Sequence, residues 1–165
     1  MKNLARVVPD RESAIAHRDK LMLKLWLRLL TCTNLIEGQV RNRLRGTFDT
    51  TLPRFDLLSQ LDRAPEGLTM GELSSRLMVS GGNVTGLVEA LRREGMVARR
   101  ANASDRRSQI ITLTLKGKRF FDAMTPVHER WIGGMLGGLS RVEMSMLFDL
   151  LSRLKQSVQD EGRRP

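Results

Sequence analysis

Arginine dominates the chemistry open to this sequence. Residues 92–119 hold Arg92, Arg93, Arg99, Arg100, Arg106, Arg107, Lys116, Lys118 and Arg119 against only Glu94 and Asp105, a net +7. The whole chain of 165 residues carries 28 Lys and Arg against 18 Asp and Glu, a formal +10. A charge that merely kept the protein in solution would be spread more evenly. Guanidinium groups gathered in one segment point to a polyanion, most often nucleic acid. A second basic cluster, Arg41, Arg43 and Arg45, lies outside that segment and could pair with phosphates or a carboxylate. Trp26, Phe55, His128 and Trp131 could line an apolar slot beside it, although aromatic residues at helical spacing ordinarily pack in a core.

Other chemistries drop out. One cysteine and two histidines, at 17 and 128, leave no disulfide framework and no metal site. There is no phosphate loop, nucleophile elbow or H-E-x-x-H, so the sequence predicts neither an enzyme nor a bound cofactor. Cys32 falls on an apolar stripe, and no tyrosine is present to help activate it. A buried structural thiol is therefore expected, with a redox sensor as the rival reading. The best apolar run, residues 21–30, is broken by Lys24 and Arg28, too short for a membrane span. No signal-peptide core is present, so a soluble cytoplasmic protein without a membrane partner is expected.

Positioning falls to helices. Aromatics are 4% of residues and hydrophobics 41%, which implies an aliphatic, Met-rich core. Residues 1–15 read as a loose arm. Residues 16–45 read as one helix, with Met22, Leu25, Trp26, Leu29, Cys32, Ile36 and Val40 on a face. Thirty helical residues span roughly 45 Å, long for a small domain, which suggests a helix partly serving another chain. A loop follows at 46–52. Pro53 opens a short helix bearing Phe55, Leu57, Leu58 and Leu61. Thr69 and Glu72 form a capping box for a helix to about residue 78. Ser80 is the expected N-cap of a helix over 81–94, with Val84, Leu87, Val88 and Leu91 inward and Gly95 ending it. Two helices and a tight turn make a helix-turn-helix. Residues 96–100 and 109–113 read as a hairpin, with Arg99, Arg100, Arg106 and Arg107 at or near its tip. Thr114 caps a helix in which Pro126 predicts a kink or break. Ser140 and Glu143 form a second capping box, opening a last amphipathic helix with Met144, Leu147, Leu150, Leu151 and Leu154. Residues 159–165 form a frayed tail. The expected fold is mainly α with a small β-hairpin wing.

Asp105-Arg106-Arg107 followed by Leu113-Thr114 and Gly117 resembles the D-x-R…L-T-x-x-G signature of the MarR family, winged helix-turn-helix transcriptional regulators. Leu73, Leu77, Ser80, Val84-Thr85, Leu87-Val88, Leu91, Gly95 and Val97 fit its helix-turn-helix pattern. Residues 139–154 fit its terminal helix, and the likeness covers about 18–158. The resemblance implies a winged helix-turn-helix DNA-binding region over 52–119 and a helical dimerisation region from 16–45 and 120–158. It implies a homodimer with intertwined first and last helices. Two recognition helices would then enter successive major grooves about 34–36 Å apart, on a pseudo-palindromic site in double-stranded DNA. It further implies a repressor released by a small effector, here an aromatic acid or aromatic acyl-CoA thioester controlling aromatic catabolism. Arg41, Arg43, Arg45, Trp26, Phe55, His128 and Trp131 are the candidate effector residues. A redox-sensing regulator through Cys32 and a winged-helix protein-interaction module without effector are the alternatives; the second would not need +7 in so short a segment.

The outer face of the helix after Ser80 carries Gly81, Gly82, Asn83, Thr85, Gly86 and Glu89. Asn83 can pair with an adenine edge and Thr85 can meet a thymine methyl. Each glycine costs roughly 1 kcal/mol against alanine inside a helix, which suggests close backbone approach to DNA with the helix N-terminus on phosphate. The rival reading makes Gly81 and Gly82 loop residues before a later helix start. Relatives commonly carry a basic residue where Gly86 stands, which shifts weight from base reading to the wing. There Arg106 and Arg107 are candidates for phosphate or minor-groove contact, with Asp105 orienting them. Arg76, Arg99 and Arg100 are candidates for further phosphate contacts.

Overall fold

A computed structural model describes residues 20–102 and 108–163. The elements in chain order are α1 (Leu21–Phe48), α2 (Leu52–Asp62), β1 (Leu68–Thr69), α3 (Met70–Leu77), α4 (Gly81–Arg93), β2 (Val97–Ala101), β3 (Gln109–Leu113), α5 (Leu115–Leu136) and α6 (Arg141–Glu161). The fold is mainly helical with a small antiparallel sheet, as the sequence predicts. The chain divides into two compact units within α5, one up to Phe121 and one from Asp122.

In the first unit the core is aliphatic. Leu44, Leu57, Leu58, Leu73, Val84, Val88, Leu91 and Ile111 are wholly buried. α4 supplies Val84, Val88 and Leu91 from one face, the i, i+4, i+7 spacing that a 3.6-residue turn brings together. α3 opens on the predicted capping box: the Thr69 hydroxyl accepts from the Glu72 N–H at 3.2 Å, and the Thr69 N–H donates to the Glu72 carboxylate at 2.7 Å. α3 ends where Met78 turns left-handed at φ 53°, and the Ser74 hydroxyl donates to the Val79 carbonyl at 2.6 Å. That sharp turn sets α4 against α3. Gly95, at φ 72°, closes α4 as predicted and delivers the chain into the sheet.

The sheet has the order β1-β3-β2. β2 pairs with β3 in the register Val97↔Leu113, Arg99↔Ile111 and Ala101↔Gln109. β1 adds Leu68↔Ile111 and Thr69↔Ile110; two residues carry no periodicity, and the sequence reading missed it. At the base of the hairpin the Thr114 hydroxyl donates to Gly95 O at 2.7 Å and accepts from the Gly117 N–H at 3.0 Å. A Cβ on Gly117 would lie 2.0 Å from Met96 O, so only glycine lets α5 begin this close to β2.

Three expectations need correction. α1 runs past Gly46 to Phe48 and leaves the helix at Asp49, which is left-handed at φ 48°; its N–H donates to Arg45 O at 3.2 Å. α5 is not broken at Pro126 but continues through it to Leu136, because a missing N–H removes one ladder bond while those on either side persist. Cys32 is exposed rather than buried. Only Val40 and Leu44 of α1 are buried; on the stripe that holds Cys32, Val40 is the buried end, while Met22 and Trp26 are 83% and 57% exposed. α6 in the second unit has its capping box, with Ser140 Oγ accepting from the Glu143 N–H at 3.3 Å, yet it buries no residue. Residues 16–19, the start of the predicted first helix, lie outside the described residues, as do the arm at 1–15 and the last two residues. Among the described residues, no helix is long and apolar enough to cross a membrane.

Candidate nucleic-acid interface

The two helices of the helix-turn-helix present α4 outward. Its first residue is Gly81, so the glycines belong to the helix rather than to a preceding loop. A Cβ built on Gly81, Gly82 or Gly86 would meet nothing within 4 Å. Among the described residues, nothing in the packing requires glycine at these positions. The helix therefore carries a bare, solvent-facing strip of backbone at its N-terminal end.

Ser80 occupies the N-cap with extended backbone, but its hydroxyl makes no cap bond. The Ser80 side chain thus leaves the first-turn N–H groups of α4 uncapped, at the helix end whose dipole favours an anion. Asn83 is exposed beside this end. Thr85 Oγ1 donates to Gly81 O at 2.9 Å; the hydroxyl is engaged and the methyl is what the side chain offers. Arg93 shares the face of Gly82, Gly86 and Glu89 by spacing and is exposed; the sequence reading counted its charge but did not place it at the site, although the same spacing would have shown it.

The basic residues divide by their partners. Arg76 is exposed on the last turn of α3, close enough to Glu72 to help hold that carboxyl low, behind the stronger effect of the Thr69 bonds. Arg100 donates to Glu66 O at 2.6 Å and lies 3.8 Å from the Glu66 carboxylate. Arg99 is ion-paired with Glu89 of α4 at 2.6 Å, and Arg92 reaches the same carboxylate at 3.1 Å. The bond from Arg92, and then the charge of Arg99, hold the Glu89 carboxyl below the usual range. Arg54 of α2 bonds the Glu94 carboxylate, Lys116 donates to Glu94 O at 2.7 Å, and Lys118 pairs with Asp62 at 2.8 Å. Asp105, Arg106 and Arg107 lie outside the described residues. Beside the ends of β2 and β3, Asn102 Nδ2 donates to Ser108 Oγ at 2.8 Å.

The candidate effector residues fall on α1, α2 and α5. Arg41 pairs with Glu37 at 3.0 Å and Arg43 donates to Gln39 at 3.0 Å; Arg45 is exposed in the last turn of α1. Trp26 is on the same helix but roughly 22 Å along it from Arg41, at 1.5 Å per residue. Phe55 belongs to the core of the first unit, its ring 5.4 Å from that of Phe121. His128 and Trp131 do meet, edge to face at 6.5 Å in the second unit, and burial pushes the His128 imidazole below its usual value. Among the described residues no group of three or more His, Cys, Asp or Glu could hold a metal ion.

Comparison with known proteins gives this geometry relatives. Residues 48–108 match the profile of the MarR family. A solved MarR family transcriptional regulator from Silicibacter pomeroyi is 32% identical, with 87% of this chain covering 99% of that one at a TM-score of 0.72. Streptococcus pneumoniae FabT, solved in complex with DNA, is 25% identical over 84% of this chain and 98% of its own, at a TM-score of 0.71. The transcriptional activatory protein BadR of Rhodopseudomonas palustris is 28% identical over 162 residues, 95% of this chain and 91% of that protein.

Proposed function

The chain belongs to the MarR family of transcriptional regulators and is not an enzyme; on that premise we propose that it acts as a homodimeric repressor that grips its operator through the N-terminal end of α4 and the arginines of the wing. The observation that carries the reading is the open strip at Gly81, Gly82 and Gly86. Three helix-weakening residues, none required by internal packing, stand where a phosphodiester backbone would have to come closest. Ser80 and Asn83 flank the strip, the Thr85 methyl can meet thymine, and Arg106 and Arg107 supply the wing's contacts, oriented by Asp105. Arg76 and Arg100 add phosphate contacts. FabT, similar in fold and solved with DNA, supports the reading.

The domain plan follows. Residues 52–119 form the DNA-binding region, and a second copy covers the exposed apolar faces of α1 and α6. The effector is an aromatic acid or aromatic acyl-CoA whose anionic group is engaged by Arg41, Arg43 and Arg45; the similarity to BadR accompanies this proposal. Because BadR is an activatory protein, the likeness also favours a second sign of control, activation from the same operator.

Fluorescence anisotropy on a duplex enriched by the chain from a randomised library tests the DNA reading. Affinity should fall steeply with KCl, and Arg107→Ala should weaken binding and flatten that dependence. Affinity that ignores salt would sink the proposal. Adding benzoyl-CoA should release the duplex, and a promoter fusion reports whether transcription then rises or falls.

A further inference from the structure

Arg99 stands at an inward position of a strand. β2 runs Val97, Ala98, Arg99, Arg100, Ala101, and Val97, two residues away on the same face, is buried. Its partner across the ladder, Ile111, is wholly buried. An apolar side chain is the ordinary occupant of such a site. Arg99 instead has a side chain only 25% exposed, with its Nε shut from solvent and without a partner. A guanidinium held this way is stable only beside an anion. Glu89 supplies it at 2.6 Å, and Glu89 lies on the outer face of α4 with Gly82 and Gly86.

A carboxylate on a face that meets phosphate is itself an oddity, since its charge repels the backbone. Two guanidiniums cancel it, Arg92 from the same helix and Arg99 from the sheet. We propose that Glu89 and Arg99 form a positioning pair, which fixes the wing strand β2 against α4 so that helix and wing meet DNA as one rigid reader, with Arg99 not itself touching phosphate. The inference rests on the DNA-binding reading above. It moves Arg99 from the set of phosphate contacts, where its residue type and location put it, to the frame that holds β2 on α4.

The two roles separate in a salt titration. Removing one phosphate-neutralising cation from each protomer lowers the slope of log K against log salt by about 0.9 per cation, near 1.8 for a dimer, on any sequence. A positioning pair acts only where helix and wing must be in register. Arg99→Met, Glu89→Gln and the double variant are compared with wild type on the library-enriched duplex and on an unselected duplex of equal length. The expected result is a loss of about tenfold on the enriched duplex for either single variant, with an unchanged salt slope and near-wild-type binding to the unselected one. The double variant should be no worse than the weaker single, because both remove one interaction. Glu89→Gln changes a partly exposed side chain with little change in volume, and it carries the test if Arg99→Met fails to fold. A lowered slope, additive losses, or no loss in either single variant would each overturn the assignment. If wild type itself enriches no duplex, the DNA-binding reading falls, and this inference with it; if wild type enriches a duplex but the losses add, only the pair falls.

Discussion

Asp56, half-buried on α2, shows how far a single residue's behaviour can escape a sequence reading. Burial raises its carboxyl above the ordinary 3.8, and the charge of Glu37 on α1 adds to the effect. A raised carboxyl binds its proton more tightly in the folded chain than in the unfolded one. Its contribution to stability is therefore greatest below 3.8 and is lost as pH rises through the raised value. Asp56→Asn should flatten that stretch of the stability curve and raise the melting temperature at pH 7. Thermal melts of wild type and variant across pH 3 to 8 check it; parallel curves would refute it. Glu72, Glu89 and Glu143 shift the other way, held low by hydrogen bonds from Thr69, Arg92 and Ser140 respectively, so the difference between the two proteins isolates Asp56. None of this is legible from residue types alone. The sequence shows acids and bases but not their partners, and it could not show that Arg99 faces Glu89 while Arg100 faces Glu66. Nor could it show that Cys32, on a stripe that looks like core, lies exposed.

Elements were more legible, because their signals are local. Thr69 with Glu72 and Ser140 with Glu143 predicted two helix starts, and both boxes close in full. Gly95 predicted the end of α4, and the β-branched run at 110–112 predicted β3. The failures came where a signal is short or can be overridden: β1 is two residues long, and Pro126 sits within a helix that continues around it. The prediction that belongs at this scale concerns α4. Because a Cβ at Gly86 meets nothing within 4 Å, Gly86→Ala should stabilise the fold by roughly 0.5–1 kcal/mol. The same methyl should weaken binding to the enriched duplex severalfold, by holding the helix away from the backbone. Denaturation and anisotropy on one preparation test both halves. A variant gaining stability with no loss of affinity would show that the glycine strip does not face DNA.

At the scale of the molecule, the sequence points both to where the charge lies and to a partner chain as cover for the first and last helices. A net +7 in residues 92–119 runs from the end of α4 to the start of α5. The apolar pattern of the last helix was read correctly, but a pattern cannot say which chain buries it. Within one chain Leu147, Leu150, Leu151 and Leu154 remain 40%, 57%, 40% and 38% exposed. If a second copy covers them, Leu151→Lys should convert the protein to a monomer in sedimentation equilibrium and abolish tight operator binding; a wild-type chain that sediments as a monomer would remove the premise. If α6, which buries nothing in one chain, waits for a twin, the amount of active protein follows the square of its concentration when the protein is scarce. A modest change in synthesis or dilution at cell division would then move promoter occupancy more than proportionally, giving a threshold in gene dosage without any cooperativity along the DNA.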